Sequence, residues 1–146
     1  MPPVITIWED DSVTPIDSGN PLALGMADKG TITPTVTFHI WNGKGDPSVD
    51  TAVAPKLYVT NGSGDASLLF AGTETNEHRS MVEARSCQAS GIAGDMQEAW
   101  TPISPTSLLT LGDMPGNTMR EIEIRLNVPP DAPDVPNVSF TLRTSF

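Results

Sequence analysis

The chain has 146 residues, with 8 Lys and Arg against 18 Asp and Glu, a formal net charge of −10 and a pI near 4.3. The cations are scattered (Lys29, Lys44, Lys56, Arg79, Arg85, Arg120, Arg125, Arg143), so a nucleic-acid phosphate backbone and an anionic lipid surface are both excluded as expected partners. With 12 Gly, 14 Pro and few helix-forming runs, the composition predicts one turn-rich domain of short strands.

The first predicted strand is Val4 to Trp8, closed by the acidic turn Glu9-Asp10-Asp11. Ser12 to Lys29 is punctuated by Pro15, Gly19, Pro21 and Gly25 and reads as an irregular connection. The strongest signal is TITPTVTFHIWN, Thr31 to Asn42. Ile32, Val36, Phe38 and Ile40 share one parity, and Thr31, Thr33, Thr35, Thr37, His39 and Trp41 the other, as expected of a half-buried strand. Asn42-Gly43 ends it in a turn that tolerates positive φ.

Lys56 to Thr60 is a short strand, and Ser67 to Ala71 (SLLFA) is expected to pair near it across the Asn61–Ala66 loop. Ser80 to Cys87 reads as a strand after a polar loop at Asn76-Glu77-His78. Glu98 to Ile103 is extended around Pro102, Leu108 to Leu111 is a short apolar run, and Asp113 to Asn117 is a turn. Met119 to Val128 repeats the alternating pattern, with Ile122, Ile124, Leu126 and Val128 on the inner parity. After the rigid, proline-rich residues 129–136, Asn137 to Thr144 forms the last strand, with Val138, Phe140 and Leu142 inward. The reading is therefore all-β: an antiparallel β-sandwich of about seven to nine strands. Residues 1–24 supply an extended N-terminal strand or arm with its irregular connection, and 25–146 form a single sandwich domain.

Little in the chain carries chemistry. The single Cys87 excludes an internal disulfide, and two histidines, His39 and His78, are too few for a three-histidine zinc site. Phosphate-loop and GxSxG spacings are absent. Asp46, Asp50, Asn61 and Asp65 lie in neighbouring turns, where oxygen ligands for a hard cation can gather, but such residues favour turns for backbone reasons alone. Glu121 and Glu123 share a strand face without any sign of a cleft. No catalytic residue, metal or cofactor is expected. MPPVITIWEDD lacks the basic and apolar regions of a signal peptide, and no apolar run nears the ~20 residues that cross a bilayer.

The interaction candidates are Trp8, His39 and Trp41. His39 sits on the polar parity of the strongest strand, as a residue facing solvent or an interface. Trp41 breaks the pattern by falling on the outward, threonine-rich parity. Either it marks a contact surface, or a bulge turns it inward, or the chain's own N-terminal segment covers it.

Three blocks, GTITPTVTFHIWNGKGD, APKLYVTNGSGD and the closing pair REIEIRLNVPPDAP…VSFTLR, resemble immunoglobulin-like accessory proteins of tailed bacteriophage virions. The resemblance spans most of residues 25 to 146. It implies an immunoglobulin-like sandwich and a non-enzymatic structural role, such as capsid decoration, assembled in the host cytoplasm and carried in the virion. It implies as partners the major capsid protein or another virion component, with a homo-oligomer as a further option. In that setting Met1–Leu24 would act as an arm whose removal weakens attachment while the sandwich stays folded. The alternative expectation is a carbohydrate- or surface-binding module of a phage tail.

Overall fold

The computed structural model describes residues 1–17, 19–24, 28–62, 66–75, 77–86, 99–133 and 139–146. Among the described residues, eight strands and one short helix follow in chain order: β1 (Ile5–Glu9), β2 (Val36–Asn42), β3 (Lys56–Asn61), α1 (Ser67–Ala71), β4 (Val82–Ser86), β5 (Thr101–Pro102), β6 (Leu109–Thr110), β7 (Thr118–Leu126) and β8 (Phe140–Ser145). They build two antiparallel sheets, one ordered β1-β2-β7-β4-β5 and the other β6-β3-β8. The apolar parities of both sheets meet in one core. Phe38, Ile40, Val82, Ala84, Ile122 and Ile124 come from the larger sheet, and Leu57, Val59 and Leu109 from the smaller. The fold is an all-β sandwich, and its sheets are positioned by the alternation that the sequence displays.

The long strand around TITPTVTFHIWN is shorter than its pattern. Regular pairing with β7 begins at Val36, opposite Ile124. Upstream, Ile32 bridges Asn127, so three intervening residues on this side face two on the other. One extra residue beside Pro34 makes a bulge that reverses the parity. Thr33 is consequently buried, and its hydroxyl accepts the Leu126 N–H at 2.8 Å. Ile32, expected inside, is 51% exposed.

SLLFA is a helix and not a strand. Both edges of β3 are already occupied, by β6 on one side and β8 on the other, leaving no slot for a local partner. Leu68, Leu69 and Phe70 are consecutive apolar residues with no period, a pattern that fits either conformation. In α1 Leu69 faces the core and Phe70 packs edge-on against Phe140, ring centroids 6.4 Å apart. The other expected strands match in place: Ser80 to Cys87 contains β4, Leu108 to Leu111 contains β6, and β7 and β8 stand where the last two were read. Cys87, Asp65, Glu98, Asn137 and Val138 lie outside the described residues.

Residues 1–17 and 19–24 are built into the sandwich. β1 pairs with β2 along its whole length, from Ile5 opposite Asn42 to Glu9 opposite Phe38. Ile5, Ile7, Ile16, Leu22 and Leu24 pack against the core. Asn42, fully buried at the end of β2, fastens three segments: its side chain accepts the Val4 N–H and donates to the carbonyls of Asp50 and Met114. Removal of residues 1–24 would uncover an edge of β2, so the expectation of a detachable arm gives way to that of an integral edge strand.

Candidate functional site: the outer face of the five-stranded sheet

Registers place the outward side chains of the larger sheet in rows. Thr6, Trp41 and Met119 form one row, and Trp8, His39 and Glu121 the next. Thr37, Glu123 and Arg85 follow, then Arg125 and Glu83. Trp100, just before β5, lies over this face, with the Arg125 and Arg85 guanidinium carbons 4.0 and 4.6 Å from its ring centroid. All three tryptophans of the chain thus share one sheet face, and each is half-buried.

One end of the face is an ion-pair lattice. Arg85 donates to Glu123 at 2.7 Å from both Nε and Nη2. Arg125 Nε donates to Glu83 at 2.9 Å, and Asn127 Nδ2 reaches the other Glu83 oxygen at 3.4 Å. These are cross-strand pairs, which hold neighbouring strands in register as well as supplying attraction. Stacked on both arginines, Trp100 joins β5 to β7 and β4 through cation–π contact.

At the other end Lys44 Nζ stands 4.6 Å from the Trp8 ring centroid and 5.9 Å from that of Trp41. Between the two ends the turn after β1 folds back over the sheet. Asp11 makes this turn: Oδ1 accepts the N–H groups of Val13 and Thr14 at 2.8 and 3.0 Å, and Oδ2 accepts the Thr14 hydroxyl at 3.0 Å. The Thr14 N–H, then that of Val13, hold the Asp11 carboxyl below its ordinary value by stabilising the anion. Ser12 at the tip has φ of 55°, a left-handed conformation that costs energy for any residue with a Cβ.

That tip delivers the Ser12 hydroxyl to two partners. It accepts the Trp41 Nε1–H at 3.0 Å and lies 2.5 Å from His39 Nδ1. His39 Nε2 is 3.3 Å from Glu121 Oε1. The consistent polarity is Trp41 N–H to Ser12, Ser12 O–H to His39 Nδ1, and His39 Nε2–H to the Glu121 carboxylate. His39, expected to face solvent or an interface, is only 6% exposed, because the Ser12 turn covers it. The same turn, part of the chain's own N-terminal segment, covers the Trp41 indole nitrogen, while the residue stays half-buried.

Serine, histidine and carboxylate in a row have the connectivity of a nucleophilic triad. Acyl transfer also needs donors aimed at an oxyanion beside the nucleophile. Here the Ser12 N–H donates to Glu9 O, and those of Val13 and Thr14 to Asp11. The adjacent donors are therefore spent, and the Asp11 carboxylate that holds two of them would repel an oxyanion. Chemically the arrangement is a clamp that fixes the β1 turn on β2 and β7.

Two of the residues in the acidic turns, Asp46 and Asn61, bond to nearby backbone. Asp46 accepts the Ser48 hydroxyl and N–H at 2.6 and 2.9 Å, and Asn61 Oδ1 accepts the Ala66 N–H. Among the described residues no three His, Cys, Asp or Glu side chains group as metal ligands, and no helix is long and apolar enough to cross a membrane.

The sequence reading named Trp8, His39 and Trp41, which the structure brings together on one face, weighed Glu121 only beside Glu123, and did not single out Ser12, Lys44 or Trp100. The outward parity of Arg85, Glu121, Glu123 and Arg125 is the signal from which part of the face is recoverable. Comparison with protein-family models, with curated proteins and with solved structures finds no match to this chain.

Proposed function

We propose that this chain is a non-enzymatic structural protein that attaches to the outside of a larger protein assembly, as an accessory or decoration protein of a tailed-phage virion does. The observation that carries the reading is the gathering of all three tryptophans on the outer face of the five-stranded sheet, set in a rigid lattice of ion pairs. Half-buried aromatics with pre-positioned arginines are the residue types that dominate protein interfaces, and they lose little conformational freedom on docking. The resemblance of GTITPTVTFHIWNGKGD, APKLYVTNGSGD and REIEIRLNVPPDAP…VSFTLR to virion accessory proteins supports the setting. The spent donors around Ser12 support a role without catalysis.

The alternative, a sugar-binding tail module, is favoured by the same three indoles. Against it, Lys44, Arg85 and Arg125 stand over the ring faces on which a sugar would stack. The test is sedimentation of intact particles of the phage encoding this chain, with and without the Trp100→Ala substitution. The wild-type chain is expected to band with the particles. Trp100→Ala should remove most of it, since interface tryptophans contribute about 2 kcal/mol or more when truncated. Absence of the wild-type chain from particles would sink the proposal. Glycan binding lost in Trp100→Ala would transfer the assignment to the sugar module.

A further inference from the structure

The two sheets end side by side at β1 and β8, and a cavity of about 410 Å³ opens between these strands. At ~30 Å³ per molecule that is room for on the order of a dozen waters, or for several side chains. Ile5, Ile7, Ile16 and Leu142 line it and also pack on the hydrophobic core, so the groove leads to apolar surface. Part of the β1 edge is closed: Ile7 O accepts the Ile16 N–H, and the Glu9 N–H goes to Thr14 O. β8 pairs with β3 on one side and no described strand lies on the other. Among the described residues its outer edge has no strand partner and lies beside an apolar groove, which is the geometry that accepts an added strand.

Charge says which strand. The outward residues of the smaller sheet are Lys56, Tyr58, Thr60, Thr110, Thr141, Arg143 and Ser145 by register. In a chain of net charge −10, this face carries two cations and no carboxylate among its described strand residues. Arg143 lies on the edge strand itself, exposed, and reaches the Thr60 hydroxyl at 3.5 Å. A strand added beside β8 would place one outward side chain directly across from Arg143, where a carboxylate is attracted and a cation repelled.

We propose that the β8 edge and its groove accept an extended, acidic segment of a partner protein, with alternate apolar side chains entering the groove and a carboxylate opposite Arg143. The groove shares Thr6 and Trp8 with the tryptophan face, while the β8 edge and Arg143 belong to the other sheet, so Trp100→Ala tests one proposal and Arg143→Glu the other.

The test uses the full chain and a fluorescein-labelled peptide, Val-Thr-Val-Glu-Val-Thr-Val, read by fluorescence anisotropy. Saturable binding is expected, weaker by roughly threefold to fivefold when lysine replaces the glutamate, as a cross-strand charge contact allows. Arg143→Glu should reverse that order of preference, and backbone N-methylation of the peptide should abolish binding. Arg143 is exposed, so the variant keeps its fold, checked by circular dichroism; the peptide comparison on the wild-type chain stands without it. No saturable binding up to millimolar peptide would overturn the proposal and leave Arg143 as a guard against edge pairing. Equal affinity for the glutamate, lysine and N-methylated peptides would overturn it too. So would sedimentation showing a second copy on this edge that Arg143→Glu releases.

Discussion

Ser12 joins a backbone conformation to a side-chain network, and the two can be separated by substitution. Ser12→Ala removes the hydroxyl that receives Trp41 Nε1–H and faces His39 Nδ1. Because His39 is buried, the expected loss is about 1–2 kcal/mol in urea denaturation, with a red shift of Trp41 emission. Ser12→Gly loses the same hydroxyl but adopts a φ of 55° without steric cost, so it should be more stable than Ser12→Ala by roughly 0.5–1 kcal/mol. Equal stability of the two would show that the turn is not strained. Arg120 is the other residue whose position carries a cost. It falls on the inner parity of β7 opposite Ile40, is 3% exposed, and spends Nη1 and Nη2 on the carbonyls of Met119 and Asp113, while Nε has no hydrogen-bond partner among the described residues. A cation there closes the end of the core with backbone dipoles in place of a carboxylate.

At the scale of elements, α1 depends on the loop that follows it. Gly72 ends the helix with φ of 69°, and a Cβ there would stand 2.0 Å from the Arg79 carbonyl oxygen. Gly72→Ala should therefore cost about 3 kcal/mol or more, seen as a large drop in thermal midpoint, because backbone must move as well as twist. The sequence discloses β2, β7 and β8 because one face of each is buried and the other is not, which is the condition for alternation. It does not disclose α1, whose conformation follows from strands far along the chain filling both edges of β3. The parity reversal at Pro34 is legible only once β7 is in place to count residues against. The shared placement of Trp8, His39 and Trp41 is legible because they sit in regular strands. That of Trp100 is not, since its contacts with Arg85 and Arg125 depend on how an irregular segment crosses two other strands.

At the scale of the whole molecule, charge and topology each have a measurable outcome. Three aspartates are held below their ordinary values by hydrogen bonds: Asp131 by the Thr73 hydroxyl first, Asp46 by that of Ser48, and Asp11 by the Thr14 N–H. A lowered folded pKa means the folded chain favours the anion. The resulting stabilisation is complete above the unfolded value of about 3.9 and drains away as pH falls through the lower folded values. Thermal midpoints should accordingly fall between about pH 6 and about pH 3, and fall less in Asp131→Asn, which has already lost its share. An unchanged slope in that variant would remove Asp131 from the account. The strand order has a consequence in time. Val36 pairs with Ile124, Asn61 with Phe140 and Val82 with Leu126, and even the nearest partners, β4 and β5, are separated by a long connection. No described strand pair is a tight hairpin that could seed the sheets locally, so loop closure must be completed before contacts repay it. On a ribosome, β2 emerges long before the β7 that must cover its second edge. The chain thus passes much of its synthesis as a set of unpaired edges, in which the net charge of −10 opposes their premature association.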